Sequence, residues 1–263
     1  MKGALPLQYS NPCRRPLGLP FICLLLLPFF FIGLAPAQTD SAAYTRKNSF
    51  GILAAYSNDS SHIFVGLAEQ RKLLNLGVSY TRRLIAGRIV NFQYDAELLP
   101  VALESDPLTR SVNVQTSPTK GTVIVENGSP MITCSPHVNV YDYMVEGVTY
   151  SGIDTFTCHG RQWTIGEAMS PFGMQFNFTP RHRLQPLIET HGGYIYTTHA
   201  IPVGGAGSFN FTAEAGIGIE YFRNHRQSIR IEYRYHHISD DDTSFYNPGI
   251  DNGVFQVGWV FGR

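Results

Sequence analysis

Residues Phe209 to Tyr221 read Phe-Asn-Phe-Thr-Ala-Glu-Ala-Gly-Ile-Gly-Ile-Glu-Tyr. Phe209, Phe211, Ala213, Ala215, Ile217, Ile219 and Tyr221 fall on one phase of a two-residue period, and Asn210, Thr212, Glu214, Gly216, Gly218 and Glu220 fall on the other. Side chains of a strand point alternately to its two faces, so this stretch is a β-strand with one apolar and one polar face. The same period recurs on both sides of it. Leu74, Leu76, Val78 and Tyr80 alternate with Asn75, Gly77, Ser79 and Thr81, and Val90 to Leu98 and Phe172 to Thr179 behave alike. Ile229, Ile231, Tyr233 and Tyr235 alternate with Arg230, Glu232, Arg234 and His236, and Phe255, Val257, Trp259 and Phe261 close the chain.

A soluble antiparallel sandwich or barrel with its apolar faces inward shares this alternation, but two details oppose it. The polar faces mix glycine and carboxylates with arginine, as a narrow interior filled by ion pairs requires. The apolar faces are long and rich in Phe and Tyr, as a lipid-contacting band with aromatic edges would be. The spacing predicts strands near 48–57, 72–83, 88–100, 168–179, 184–197, 208–222, 227–238 and 253–261. The links 84–87, 180–183 and 223–226 are short, and every link between them is longer. Short turns at one end and longer loops at the other are the asymmetry of an outer-membrane barrel. The expected fold is therefore all-β: an eight-stranded antiparallel transmembrane β-barrel, both chain ends in the periplasm, with a long β-rich insert between strands 3 and 4. The insert, residues 101–167, is longer than a structureless loop should be and holds Cys134 and Cys158.

The amino terminus supplies an independent argument. Arg14 and Arg15 precede an apolar run from about Leu17 to Ala35, which ends in Ala35-Pro36-Ala37. That is the order of a signal peptide, residues 1–37, with 38–263 as the mature barrel domain. An uncleaved anchor is the alternative, which Pro20 and Pro28 weigh against as breaks in a long helix. Removing the leader also removes Cys13 and Cys23, leaving Cys134 and Cys158 to form a disulfide in an oxidising compartment. The 20 basic and 20 acidic residues cancel, so composition gives no sign of a nucleic-acid partner. Beyond residue 45 no apolar run reaches the length of a membrane helix.

Potentially reactive side chains gather near the carboxyl end, in Tyr235-His236-His237-Ile238-Ser239-Asp240-Asp241-Asp242 and then Asn247-Pro248-Gly249-Ile250-Asp251. His237 and Ser239 share a face, and counting from Ile229 makes it the apolar, lipid-facing one. A serine, a histidine and a carboxylate returned by a loop are the parts of a nucleophilic hydrolase. Rim histidines that only satisfy polar groups and a solvated acidic loop are the bland alternative. Asp240, Asp241 and Asp242 could also attract a divalent cation, although a solvated loop explains them as well.

These residues resemble the outer-membrane lipid A 3-O-deacylase family, also described as acyloxyacyl-hydrolase-like. His237-Ile238-Ser239 is similar to the family's His-x-Ser-Asn motif, Asp251 falls where the family keeps an orienting carboxylate, and the Ser170-Pro171-Phe172-Gly173 stretch resembles its Pro-x-Gly strand. The resemblance implies Ser239 as nucleophile, His237 as general base and Asp251 as orienter. It further implies hydrolysis of an ester-linked acyl chain of lipid A, the lipid anchor of lipopolysaccharide, in the bacterial outer membrane, with no cofactor and no metal. Asp240 stands where the family has an asparagine contributing to the oxyanion site, and an ionised carboxylate cannot donate there. Either Asp240 is protonated, or another donor such as a backbone amide replaces it, or activity is weak or absent. Asp240→Asn should raise activity if the oxyanion site is incomplete. The final aromatic, Phe261, is followed by Gly262 and Arg263 and does not end the chain. The expected partners are lipopolysaccharide and outer-membrane lipids, with periplasmic chaperones and the barrel-assembly machinery during biogenesis. A homodimer stays open, and a non-catalytic barrel acting as an adhesin, envelope-stability or surface-binding protein is the rival function.

Overall fold

The computed structural model describes residues 44–117, 121–130, 132–145 and 147–263. The leader expected over 1–37 lies outside them. Among the described residues the chain forms ten strands: β1 (Asn48–Ser57), β2 (Lys72–Ile85), β3 (Val90–Ser117), β4 (Gly121–Pro130), β5 (His137–Val145), β6 (Val148–Phe178), β7 (Leu184–Thr197), β8 (Phe209–Asn224), β9 (Gln227–Ser239) and β10 (Ile250–Gly262). All pairings between them are antiparallel.

The sheet closes on itself. Its order is β4-β3-β2-β1-β10-β9-β8-β7-β6-β5, and an additional pairing joins β3 to β6. Eight strands therefore form a ring, with β4 and β5 lying outside it on β3 and β6. Closure removes the unpaired edges that a spanning sheet could not leave in lipid.

The β-rich insert expected over 101–167 is built largely from extensions of the barrel strands themselves. β3 has 28 residues and β6 has 31, well beyond the ~9–11 that a tilted membrane strand needs. Their ladder runs from Val90↔Phe178 up to Thr116↔Ser151, so the two barrel strands continue past the rim as one antiparallel pair. β4 and β5 flank that pair and make a four-stranded sheet outside the ring. The sequence hides this because alternation weakens where both faces meet water: residues 121–127 of β4 are all exposed. Cys134 and Cys158 form a disulfide with Cα atoms 5.7 Å apart, clipping the start of the returning segment to β6.

The barrel strands keep their two-residue period, with one-residue slips at the irregularities of the β3–β6 ladder. In β9 the burial alternates from Ser228 to Ile238, with Ile229, Ile231 and Tyr233 outward and Ser228, Arg230, Glu232, Arg234 and His236 inward. Phe50, Ile52, Phe176, Ile217, Ile219, Val257 and Trp259 are exposed on the same outer wall. An apolar wall of this extent on a closed barrel is solvated by lipid chains, not water.

The lumen is packed. Arg234 donates to Glu97 at 2.8 Å, Glu232 at 3.0 Å and Glu214 at 3.1 Å, and also to Glu189. Arg230 pairs with Asp95 at 2.9 Å, and Gln256 bridges Glu97 and Glu232. At the short-turn end Arg46 donates to Glu220 and Ser228 and lies over the Phe222 ring. Side chains fill an eight-stranded barrel, so chemistry on a large substrate has to happen outside it.

Candidate active site

β9 and β10 build the site at the loop end of the barrel. His237 pairs with Asp251 in the β9–β10 register, so both side chains leave the sheet on the same face. That face is the outer one: Tyr233, Tyr235, His237 and Ser239 share a phase of β9, and Asp251 shares a phase with Phe255 and Val257 of β10. His237 Nδ1 lies 2.7 Å from Asp251 Oδ1. Tyr235 donates its hydroxyl to the same oxygen at 2.8 Å.

Asp251 faces outward yet is fully buried. The loop 58–71 folds over it. Leu67 and Ala68 donate backbone N–H groups to Pro248 and Gly249, and Ser61 donates to Asp251 O. This docking brings Phe64 N and Val65 N to 2.8 and 3.0 Å from Asp251 Oδ2. The Phe64 ring meets the Tyr235 ring edge-on at 5.0 Å. Both carboxylate oxygens are thereby held, and the imidazole is addressed from one fixed direction. Gly66 makes the approach feasible, because a Cβ there would lie 2.5 Å from Asp251 N.

Ser239 is reached from the loop that follows β9. Asn247 Nδ2 donates to Ser239 Oγ at 2.7 Å, and Asp241 N donates to it at 3.1 Å. Asp241 and Asp242 carry positive φ values of 54° and 58°, and Gly249 one of 60°. These left-handed residues turn the chain sharply enough to bring Asn247 back beside the serine, and Asp tolerates that conformation better than most side chains. No hydrogen bond joins His237 to Ser239 among the described residues. In a site without substrate such a contact is often open.

Asp240 sits elsewhere than its position in the motif suggests. It is fully buried, and its Oδ2 accepts the Gly207 N–H at 3.1 Å, on the side of the strand opposite Ser239. The amide beside Ser239 belongs to Asn247 instead. Asn247 was legible in the sequence only as part of a turn, Tyr235 only as a neighbour of the motif on the outward phase of its strand, and the amides of Phe64 and Val65 not at all.

One cluster has the makings of a metal site. Asp95, Glu189 and His191 bring ligand atoms within 4.8 Å of one another inside the lumen. Arg230 and Arg234 already pair with Asp95 and Glu189 there, so the cations that balance these carboxylates belong to the chain.

The β9–β10 part of the site and the loop joining these strands lie inside a stretch with known relatives, whereas the covering loop 58–71 lies outside it. Residues 133–260 match the lipid A 3-O-deacylase (PagL) family. The match begins next to Cys134 and runs through β10, taking in His237, Ser239, Asn247 and Asp251, and it is the family that the His-x-Ser motif resembles. With the apolar outer wall of the closed ring, it puts the protein in the bacterial outer membrane. No curated protein matches the chain. Among solved structures, the chain is similar to Neisserial surface protein A at a TM-score of 0.41 and 12% identity, covering 82% of this chain and 97% of that one. It is also similar to the outer-membrane protein OprG from Pseudomonas aeruginosa, at a TM-score of 0.38 and 10% identity, covering 84% and 99%.

Proposed function

We propose that the protein is a serine esterase that removes an ester-linked acyl chain from lipid A in the outer leaflet, working on its lipid-facing wall. The observation that carries the reading is the 2.7 Å contact between His237 Nδ1 and a shielded Asp251, on the same outward face as Ser239. The family match supports the substrate.

The chemistry follows from the hydrogen bonds. Asp251 fixes His237 with Nδ1 protonated, which leaves Nε2 as the base. Ser239 lies two residues along the same face, about 7 Å in strand rise, a span that an imidazole ring covers. Asn247 and Asp241 donate to Oγ, so both recorded partners use its acceptor capacity and its proton remains for Nε2. As Oγ attacks the ester carbonyl, that proton passes to Nε2 and the carbonyl oxygen becomes an oxyanion. Asn247 Nδ2, 2.7 Å from Ser239 Oγ, supplies a donor to it, which Asp240 with its inward carboxylate does not. His237 then protonates the departing sugar oxygen. Water, deprotonated by His237, cleaves the acyl-serine to release the fatty acid.

An outer-wall site suits the substrate, since acyl chains already lie beside the barrel. The test compares lipid A by mass spectrometry from cells expressing the wild type and Ser239→Ala. Loss of one ester-linked acyl chain with the wild type alone is expected. Identical lipid A from both, with both barrels folded, would overturn the proposal.

A further inference from the structure

Just above the apolar belt, on the wall formed by β1, β2, β3 and β6, is an open cleft of about 390 Å³, within the ~300–1,000 Å³ range of small-molecule sites. Lys72 of β2 and Arg161 of β6, on the two strands that flank β3, line it together with Asn58, Asp59 and the Cys134–Cys158 disulfide. Strand phase decides which way it faces. Lys72 shares the outward phase of β2 with Leu76, Arg161 shares that of β6 with Trp163 and Ile165, and Asn58 follows Tyr56 on the phase of β1. Leu76, Trp163, Ile165 and Tyr56 are all exposed on the outer wall. The cleft therefore opens sideways, in the polar layer directly above the lipid chains, where headgroups lie.

Its charge is prepared for an anion. Two cations face one carboxylate, Asp59. Arg161 is held in position by donating to Ser105 Oγ and Ser105 O at 2.6 Å each, and to Gln70 O. The Lys72 ammonium makes no hydrogen bond or ion pair among the described residues. A fixed guanidinium beside an unengaged ammonium is a pairing that phosphate oxygens satisfy. The cleft and the site share one loop: Asn252, the residue after Asp251, donates to Asp59 O at 3.3 Å, and the loop from Asn58 to Arg71 supplies Asn58, Asp59 and Gln70 to the cleft and Phe64 and Val65 to Asp251.

We propose that this cleft is a binding subsite for the phosphate group of an anionic glycolipid headgroup, holding the sugar so that an acyl ester reaches Ser239. The assignment rests on the esterase reading for its substrate, but its test does not depend on turnover. Ser239→Ala protein in detergent micelles is titrated with lipid A carrying its phosphates and with the same acylated sugar after dephosphorylation. Tighter binding of the phosphorylated form by about tenfold is expected from one charge-assisted contact pair. Lys72→Glu should abolish that preference, Lys72→Arg should retain it, and Lys47→Glu at the opposite end of the barrel should leave it unchanged. Equal binding of the two lipids, or a preference that survives Lys72→Glu, would overturn the subsite. Displacement of the lipid by inorganic phosphate alone at equal concentration would assign the cleft to free phosphate and overturn the headgroup assignment. If the preference holds while wild-type protein releases no fatty acid, the subsite stands and the esterase reading falls.

Discussion

His237 and Asp251 are partners on one rung of the β9–β10 ladder, and the imidazole Nδ1 and carboxylate Oδ1 meet at 2.7 Å. Because the rung fixes both Cα positions, the pair depends on strand register and not on a mobile loop. Asp251→Asn would keep the shape but present an amide that can stabilise the wrong imidazole tautomer. The expected result is a fall in kcat of roughly 10²–10⁴-fold with KM little changed, read as fatty-acid release from purified lipid A. Undiminished kcat would remove Asp251 from the mechanism.

On the proposed esterase reading, Asn247, which donates to Ser239 Oγ, takes the role that motif position implies for Asp240. Asn247→Ala should lower kcat by roughly 10²–10³-fold, the usual effect of deleting an oxyanion donor. Asp240→Asn should leave kcat within about threefold of wild type, since its carboxylate contacts Gly207 and not the reacting atoms. Steady-state kinetics of the two variants side by side decides this. A large gain from Asp240→Asn would return residue 240 to the oxyanion site.

The disulfide reaches the site through the loop 58–71. Gln70 accepts from Cys134 N at 3.1 Å and donates to Cys134 O at 3.3 Å, and Glu69 N donates to Ile132 O. Six and five residues before Gln70, Phe64 and Val65 hold the Asp251 carboxylate. The double variant Cys134→Ser, Cys158→Ser should therefore lose kcat while its heat-modifiable gel migration, which reports the barrel, stays normal. Gln70→Ala should reproduce part of the loss, and Gln70→Glu, which keeps only the acceptor, should recover some of it. Full activity in the double variant would mean that the insert does not support the loop.

Gly66 gives a sharper probe of the same loop. A Cβ there would also lie 2.8 Å from Asp251 Cγ, so Gly66→Ala should lift Phe64 and Val65 from the carboxylate and lower activity without unfolding the barrel. Wild-type kcat in a folded Gly66→Ala protein would show that the loop amides are dispensable.

Arg234 is the hub of the lumen, with four carboxylates around one guanidinium. Arg234→Ala would leave buried carboxylates without their counter-charge, at a cost of about 3–5 kcal/mol. Urea titration of the barrel in lipid vesicles, followed by gel mobility, should show a lowered midpoint. An unchanged midpoint would mean that the remaining lumen groups compensate.

Sequence alone determined the features that depend on nearest neighbours along the chain. The two-residue period of Phe209 to Tyr221 sets which side chains meet lipid, and the same count puts His237 and Ser239 together on the outer wall, because a strand gives each residue one of only two directions. Short links at alternate positions likewise make neighbouring strands antiparallel. Tertiary structure decided what depends on residues distant in the chain meeting in space. Asp251 is outward by phase yet buried, because a loop nearly two hundred residues earlier in the chain closes over it. Asn247 reaches Ser239 only through a turn with left-handed residues, and Asp240 faces inward to meet Gly207. β3 and β6 run on beyond the rim because each pairs with the other, a partnership between segments whose own alternation is faint. Periodicity encodes direction, whereas shielding and contact require the closed ring to bring its loops together.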